Sequence, residues 1–307
     1  MRTYNTTKQV LAHFVGACLI LGTFGMVHTP AQAEGDIWSG VFSFGSSGSS
    51  RVSTTRVLSN ASSINVGGNK EAADAYKSGD FAKAKKLWEE AGAKGDLYAV
   101  WRLAIMHRLG QGVDADNAMA MKYYRQVANK FDGDRAKKQH FTITVDSLFW
   151  VGSYYSRGDE VAGIKKHPQR AFRLLTLAAN EGHAAAQLAV AQTFISGKVV
   201  KRNKARGLSW LVLAARKRHA PAMAELGSIY WRGKVVRRNR VEGLKWYVLA
   251  TENACASVDP QLFDHYEAMY TEASDKIRSK AKALAARWNE DFPPQETQGT
   301  LRYVSCE

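Results

Sequence analysis

From residue 197 the chain repeats at a step of 36 residues, and no other feature restricts its fold as much. Gly197, Val199, Val200, Asn203, Gly207, Trp210 and Ala214 recur as Gly233, Val235, Val236, Asn239, Gly243, Trp246 and Ala250. One step earlier, Ala171, Leu174, Leu175, Ala178, Ala179 and His183 stand where Gly207, Trp210, Leu211, Ala214, Ala215 and His219 stand. A fixed period of this length marks stacked helical hairpins, in which no single unit can bury its own apolar face. Such arrays mostly bind other molecules. The expectation therefore moves towards a scaffold or regulator and away from an enzyme.

Each unit follows one pattern. A first helix carries a large apolar residue followed by a small one: Leu103-Ala104, Val151-Gly152, Val190-Ala191, Leu226-Gly227. Glycine then ends that helix at Gly110, Gly158, Gly197 and Gly233, because glycine tolerates the left-handed backbone a helix terminus often needs. A second helix brings Tyr123-Tyr124, Leu174-Leu175, Trp210-Leu211 or Trp246-Tyr247. The helical spacing of these aromatics, and their repetition, assign them to core packing in place of a ligand cage. An additional hairpin is expected from about Glu71, around the turn Ser78-Gly79-Asp80. Residues from about Asn129 to Asp146 form an insertion that breaks the period. After Ala256 the repeat stops. Asp259-Pro260 reads as a helix start, and Leu262, Tyr266, Met269, Tyr270, Ala273, Ile277, Leu284 and Trp288 form the stripe of a capping helix or helix pair.

The ends read differently. Arg2 and Lys8 precede an apolar run from Val10 to Val27, and Ala31-Gln32-Ala33 is a small-x-small cleavage signal. Residues 1–33 are therefore expected to be a cleaved signal peptide, which directs the chain to the periplasm. The alternatives are a retained membrane anchor and lipidation at Cys18. Residues 34–69 are rich in Gly and Ser and read as a flexible linker. The array is expected over 71–256, the cap over 257–292 and a polar tail over 293–307. Cys255 and Cys306 remain after cleavage and are candidates for one disulfide in an oxidising compartment; the other reading is two unrelated thiols.

His107-x-x-Gly110-x-Gly112-Val113-x-x-Asp116 resembles the loop of the Sel-like repeat family. Phe194-x-x-Gly197-x-Val199-Val200-x-x-Asn203 and Tyr230-x-x-Gly233-x-Val235-Val236-x-x-Asn239 are variants in which the second glycine is Val and the acidic residue is Asn. The likeness spans about Glu71 to Ala254. It implies an all-α fold, a right-handed α-solenoid of tetratricopeptide-type hairpins with a C-terminal capping helix. The layout also resembles the family of periplasmic negative regulators of exopolysaccharide production. The shared features are the leader, the Gly/Ser-rich lead, the early hairpin, the insertion, Leu174-Leu175-x-x-Ala178-Ala179 and Ala214-Ala215-Arg216-Lys217-x-His219. That resemblance implies a protein partner, the periplasmic domain of a membrane sensor kinase, which such proteins hold inactive.

The chain has a formal net charge of +15, and its basic residues are clustered. Lys198, Lys201, Arg202, Lys204 and Arg206 fill one loop region, and Lys234, Arg237, Arg238 and Arg240 fill the next; Lys165 and Lys166 lie in the loop before. Equivalent positions of a solenoid stack along one edge, which predicts a continuous basic ridge. Its partners are expected to be an acidic protein surface, anionic lipid headgroups or an acidic polysaccharide, with no nucleic acid for an exported chain. The bland alternative is a solvated face.

No sequence signature of catalysis, metal or cofactor is found. His-Glu-x-x-His, Cys-x-x-Cys, a phosphate-cradling glycine loop and Gly-x-Ser-x-Gly are all missing. Ser279-x-x-Lys282 lies on a charged helix without Lys-Thr-Gly or Ser-Asp-Asn. His183 and His219, one repeat apart at the entry to a first helix, read as capping or turn residues. The chain is expected to be a non-enzymatic regulator without catalytic residues, metal or cofactor.

Overall fold

The computed structural model describes residues 69–255 and 259–293. The expected signal peptide, nearly all of the linker, Cys306 and nearly all of the tail lie outside these residues. Among the described residues twelve α-helices follow one another: α1 (Lys70–Lys77), α2 (Phe81–Ala93), α3 (Leu97–Leu109), α4 (Asn117–Ala128), α5 (Lys138–Arg157), α6 (Pro168–Asn180), α7 (Ala184–Ser196), α8 (Lys204–Arg216), α9 (Ala220–Arg232), α10 (Arg240–Glu252), α11 (Pro260–Glu272) and α12 (Asp275–Asp291). Each helix from α1 to α10 packs on the next, and the first helices of successive hairpins also meet, α3 with α5 and α7 with α9. This is the expected pile of helical hairpins.

The hairpin loops are built by the residues the repeat keeps. Gly110, Gly197 and Gly233 end α3, α7 and α9 with φ of 69°, 72° and 72°. The chain then returns to cap the second helix. Asp116 N–H donates to the His107 carbonyl at 2.8 Å, and Asn203 and Asn239 repeat this bond to Phe194 and Tyr230 at 2.9 Å each. The side chains of Asp116, Asn203 and Asn239 accept from the backbone N–H groups of Met119, Arg206 and Glu242. Asn caps a helix about as well as Asp. The exchange of Asp for Asn in the later units therefore preserves the local fold. The third loop is longer and closes through an isolated antiparallel bridge between Asp159 and Ile164.

Second helices lie close on first helices where side chains vanish. A Cβ placed on Gly243 of α10 would sit 2.9 Å from the Trp231 nitrogen and 3.1 Å from the Gly227 oxygen, both backbone atoms of α9. Backbone cannot move aside as a side chain can. Gly243→Ala is thus expected to lower unfolding stability by about 1–3 kcal/mol, despite the gain of about 1 kcal/mol in helix propensity. Urea denaturation measures it, and a more stable variant would show that α9 and α10 can separate freely.

The insertion that breaks the period is partly helical. Residues 129–137 are irregular, but from Lys138 onward the chain is helical, so α5 is 20 residues long. Ile143 and Val145 are buried, which makes the added turns part of the core. The irregular half is fixed by the Arg135–Glu181 ion pair at 2.6 Å and by Phe131 against Phe141, 6.0 Å between ring centres.

The cap is a helix pair. Both α11 and α12 pack on α10. Ala281, Ala285 and Trp288 of α12 are buried, whereas Leu284, placed on the stripe by spacing, is 38% exposed. None of the described helices is long and apolar enough to cross a membrane.

Candidate interaction surface

The basic loops occupy equivalent places, as the period requires. A Cβ on Gly158, Gly197 or Gly233 would lie 2.7 Å from Lys166 Cγ, Arg202 Cβ or Arg238 Cβ, so these three cations arch over the same turn in successive hairpins. In the α3–α4 hairpin this place belongs to Ala115. The positive edge is thus a property of the later units alone.

Its members are not equally available. Lys198, Lys201, Arg237 and Arg238 are exposed. Lys204 Nζ reaches the next loop and donates to the Lys234 carbonyl at 3.2 Å, which ties the two loops together. Arg202 Nε donates to the Ile195 carbonyl at 2.9 Å and so closes the end of α7. Arg206 lies over the Phe194 ring at 4.6 Å. Arg240 pairs with Glu272 and stacks on Trp231 at 5.0 Å. Arg202, Lys204 and Arg240 therefore serve the fold as well as the edge. Lys201 and Arg237 make no hydrogen bond or ion pair among the described residues.

A second edge is formed where second helices turn into first helices. His183 Nδ1 accepts from Ala186 N–H at 3.2 Å, and His219 Nδ1 from Ala222 N–H at 3.3 Å. Both histidines are helix N-caps, as their position at the turn suggested. Because Nδ1 accepts, the neutral ring carries its proton on Nε2. In His183 that Nε2–H faces Asp146 Oδ1 at 3.4 Å, while Asp146 Oδ2 accepts from Trp101 Nε1 at 2.7 Å. Phe149 stacks on His183 with ring centres 4.4 Å apart. Burial, with a smaller contribution from the His183 charge, lowers the pKa of His219 to about 4. One period beyond His219 stands Cys255, which is buried and disulfide-bonded. Its expected partner, Cys306, lies outside the described residues.

The sequence reading missed Asp146 and Arg102. Asp146 lies at the end of the insertion, where no period marks it. Arg102 is 3% exposed. Its guanidinium carbon lies 4.3 Å from the Tyr76 ring centre and 4.7 Å from that of Trp88, so one cation joins α1, α2 and α3 through ring faces. Among the described residues no group of three or more His, Cys, Asp or Glu is arranged to hold a metal ion. Ser279 and Lys282 are exposed on α12, with Lys282 over the Tyr270 ring.

A third surface was not singled out from the sequence. Leu177 of α6 and Leu213 of α8 stand 36 residues apart and are 36% and 42% exposed. Leu249, the same position of α10, is fully buried. Trp210 follows the same rule: it is half-buried, while Trp246 is 7% exposed with its ring centre 5.7 Å from that of Trp288. The cap covers on α10 what α6 and α8 leave open.

Two curated relatives are called exopolysaccharide production negative regulator. The one from Rhizobium meliloti (strain 1021) is 30% identical over 125 residues, which cover 40% of this chain and 46% of the relative. The one from Rhizobium leguminosarum bv. viciae is 28% identical with the same coverage. The chain spans about half the length of the curated relatives it matches. A solved Sel1 repeat protein from Oxalobacter formigenes is 25% identical, covers 56% of this chain and 79% of its own, and has a TM-score of 0.36. The Sel1 repeat profile matches residues 74–96, 97–130, 145–183, 184–219 and 220–255, and its boundaries fall at the turns capped by Asp96, His183 and His219. The chain belongs to the Sel1 repeat family.

Proposed function

We propose that this protein is an exported, non-enzymatic regulator that acts by protein contact in the periplasm. Its target is the periplasmic domain of a membrane sensor kinase that controls exopolysaccharide production. The likeness to curated relatives called exopolysaccharide production negative regulator carries this reading. The repeat fold supports it, because stacked hairpins offer extended surfaces for a macromolecular partner. Crosslinking in cells, followed by identification of the trapped species, tests it. A kinase periplasmic domain is the expected capture, and glycan or lipid alone overturns the reading.

A second reading follows from the basic edge. Lys198, Lys201, Arg237 and Arg238 are exposed cations on successive loops. A cell-envelope adaptor could hold acidic polysaccharide or anionic lipid headgroups there. Under either reading the edge meets an acidic surface. Lys201 and Arg237 are the cleaner residues to reverse, because Arg202 also closes α7. The double variant Lys201→Glu, Arg237→Glu is expected to weaken partner binding about tenfold at low salt, with the difference shrinking as salt rises. Unchanged low-salt affinity in a titration removes the edge from the mechanism.

A further inference from the structure

We propose that the outer faces of α6 and α8 bind an acidic amphipathic helix of a partner protein, in the manner in which α12 covers α10. The inference rests on the regulator reading only in taking the partner to be a protein. Its template lies within the chain. On α10, Trp246 and Leu249 share one buried cluster with a small residue and an aromatic of α12, Ala285 and Trp288. On α8 the same positions are Trp210 and Leu213, and on α6 they are Leu174 and Leu177. Leu213 and Leu177 are exposed, and Trp210 and Leu174 are half-buried. Apolar residues recur at these positions whether or not a helix of this chain covers them.

Charge selects the occupant. Where α10 has Glu242 and Glu252, α8 has Arg206 and Arg216 one period earlier. The α8 segment carries Lys204, Arg206 and Arg216 and no acidic residue, and α6 carries Arg170 and Arg173 and no acidic residue. The helix that covers α10 is rich in Lys and Arg. A helix of that charge is repelled by α8, and one of opposite charge is attracted. Like charges set against each other reject the wrong partner as effectively as opposite charges select the right one. The open face also continues from the closed one. Arg216 lies over the Phe292 ring at 5.5 Å, and Arg218 donates to Asn289 Oδ1 at 2.9 Å and to the Phe292 carbonyl at 2.8 Å, so the end of the cap abuts the end of α8. A partner helix laid along α8 and α6 extends the layer that α12 begins.

The probe is a synthetic peptide of residues 275–291 with the docking residues kept and the charge reversed by Arg278→Glu, Lys282→Glu and Arg287→Glu. Its binding to the full chain is followed by fluorescence anisotropy at low ionic strength. Saturable binding is expected, at least tenfold tighter than that of the unaltered peptide. Leu213→Glu in the full chain is expected to weaken it at least tenfold, as is the pair Arg206→Glu, Arg216→Glu. Leu213 is exposed, so the substitution leaves the fold intact, which circular dichroism verifies. Equal affinities for the two peptides, no binding of either, or indifference to Leu213→Glu overturns the proposal. The assay contains no kinase, so its failure leaves the capture experiment in cells to decide the regulator reading separately.

Discussion

Trp246→Ala is expected to lower unfolding stability by about 3–5 kcal/mol, and Trp210→Ala, one period earlier, by only about 1–2 kcal/mol. The two tryptophans are equivalent in sequence and unequal in burial. Trp246 is 7% exposed, packs edge-on to Trp288 and carries the Lys245 ammonium 4.5 Å from its ring centre. Its removal leaves a hole in the cluster that joins α10 to α12. Trp210 is half-buried and rests against the same apolar cluster from its rim. Solvent already meets part of that ring, so truncation removes less buried area and leaves a notch in place of a cavity. Denaturant unfolding of both variants measures the difference. Equal losses would mean that Trp210 is covered in solution by something that closes over α8 as α12 closes over α10.

That pair also shows where sequence periodicity stops informing. The period located the hairpins, the glycines that end the first helices and the Asp or Asn that starts the second ones, because each depends on local backbone chemistry that recurs with the sequence. Burial at the outer surface depends on what comes last in the chain. Trp210 and Trp246 read alike, and only the presence of α12 over one of them separates them. The broken period places the insertion but says nothing of its internal structure. Residues Lys138 to Asp146 interrupt the 36-residue step, yet Phe141, Val145 and Leu148, four and three residues apart, carry the apolar spacing of a helix already under way. Asp146 was lost with them, although a carboxylate on an apolar stretch is a signal in its own right.

The basic edge was legible as a cluster but not as a set of roles. Spacing places Arg202 and Arg238 on one line. It does not show that Arg202 spends a donor on the Ile195 carbonyl, or that Arg240 is held by Glu272. Leu177 and Leu213 were missed because an exposed leucine is unremarkable by itself. They become informative when a third copy, Leu249, is found buried under a helix.

Lowering the pH from about 6.5 to about 4 is expected to remove about 3 kcal/mol of stability through His219 alone. In the unfolded chain this imidazole takes a proton near 6.5; in the folded protein burial and the neighbouring His183 hold its pKa at about 4. Between those values the unfolded state binds a proton that the folded state does not, so stability falls as pH falls, at about 1.4 kcal/mol per pH unit. Burial is the main cause, and the cap acts in the same direction. Nδ1 accepts the Ala222 N–H at the start of α9, and a protonated Nδ1 cannot accept. Glu225, on the same helix, works in the opposite sense. Burial raises its pKa to about 7, so its folded state holds a proton that the unfolded chain has lost, and its share of stability falls as pH rises from about 4.5 to about 7. The two slopes oppose each other in one window, and the wild-type curve by itself reports neither. His219→Asn isolates the histidine, because Asn supplies a carbonyl acceptor at the N-cap and does not titrate. At pH 7 the variant is expected to lie within about 1 kcal/mol of wild type. On acidification it gains on wild type and exceeds it by about 3 kcal/mol at pH 4. Urea unfolding at half-unit pH steps gives the difference curve, and a flat difference would place the acid sensitivity of this array in its carboxylates and not in its histidine caps.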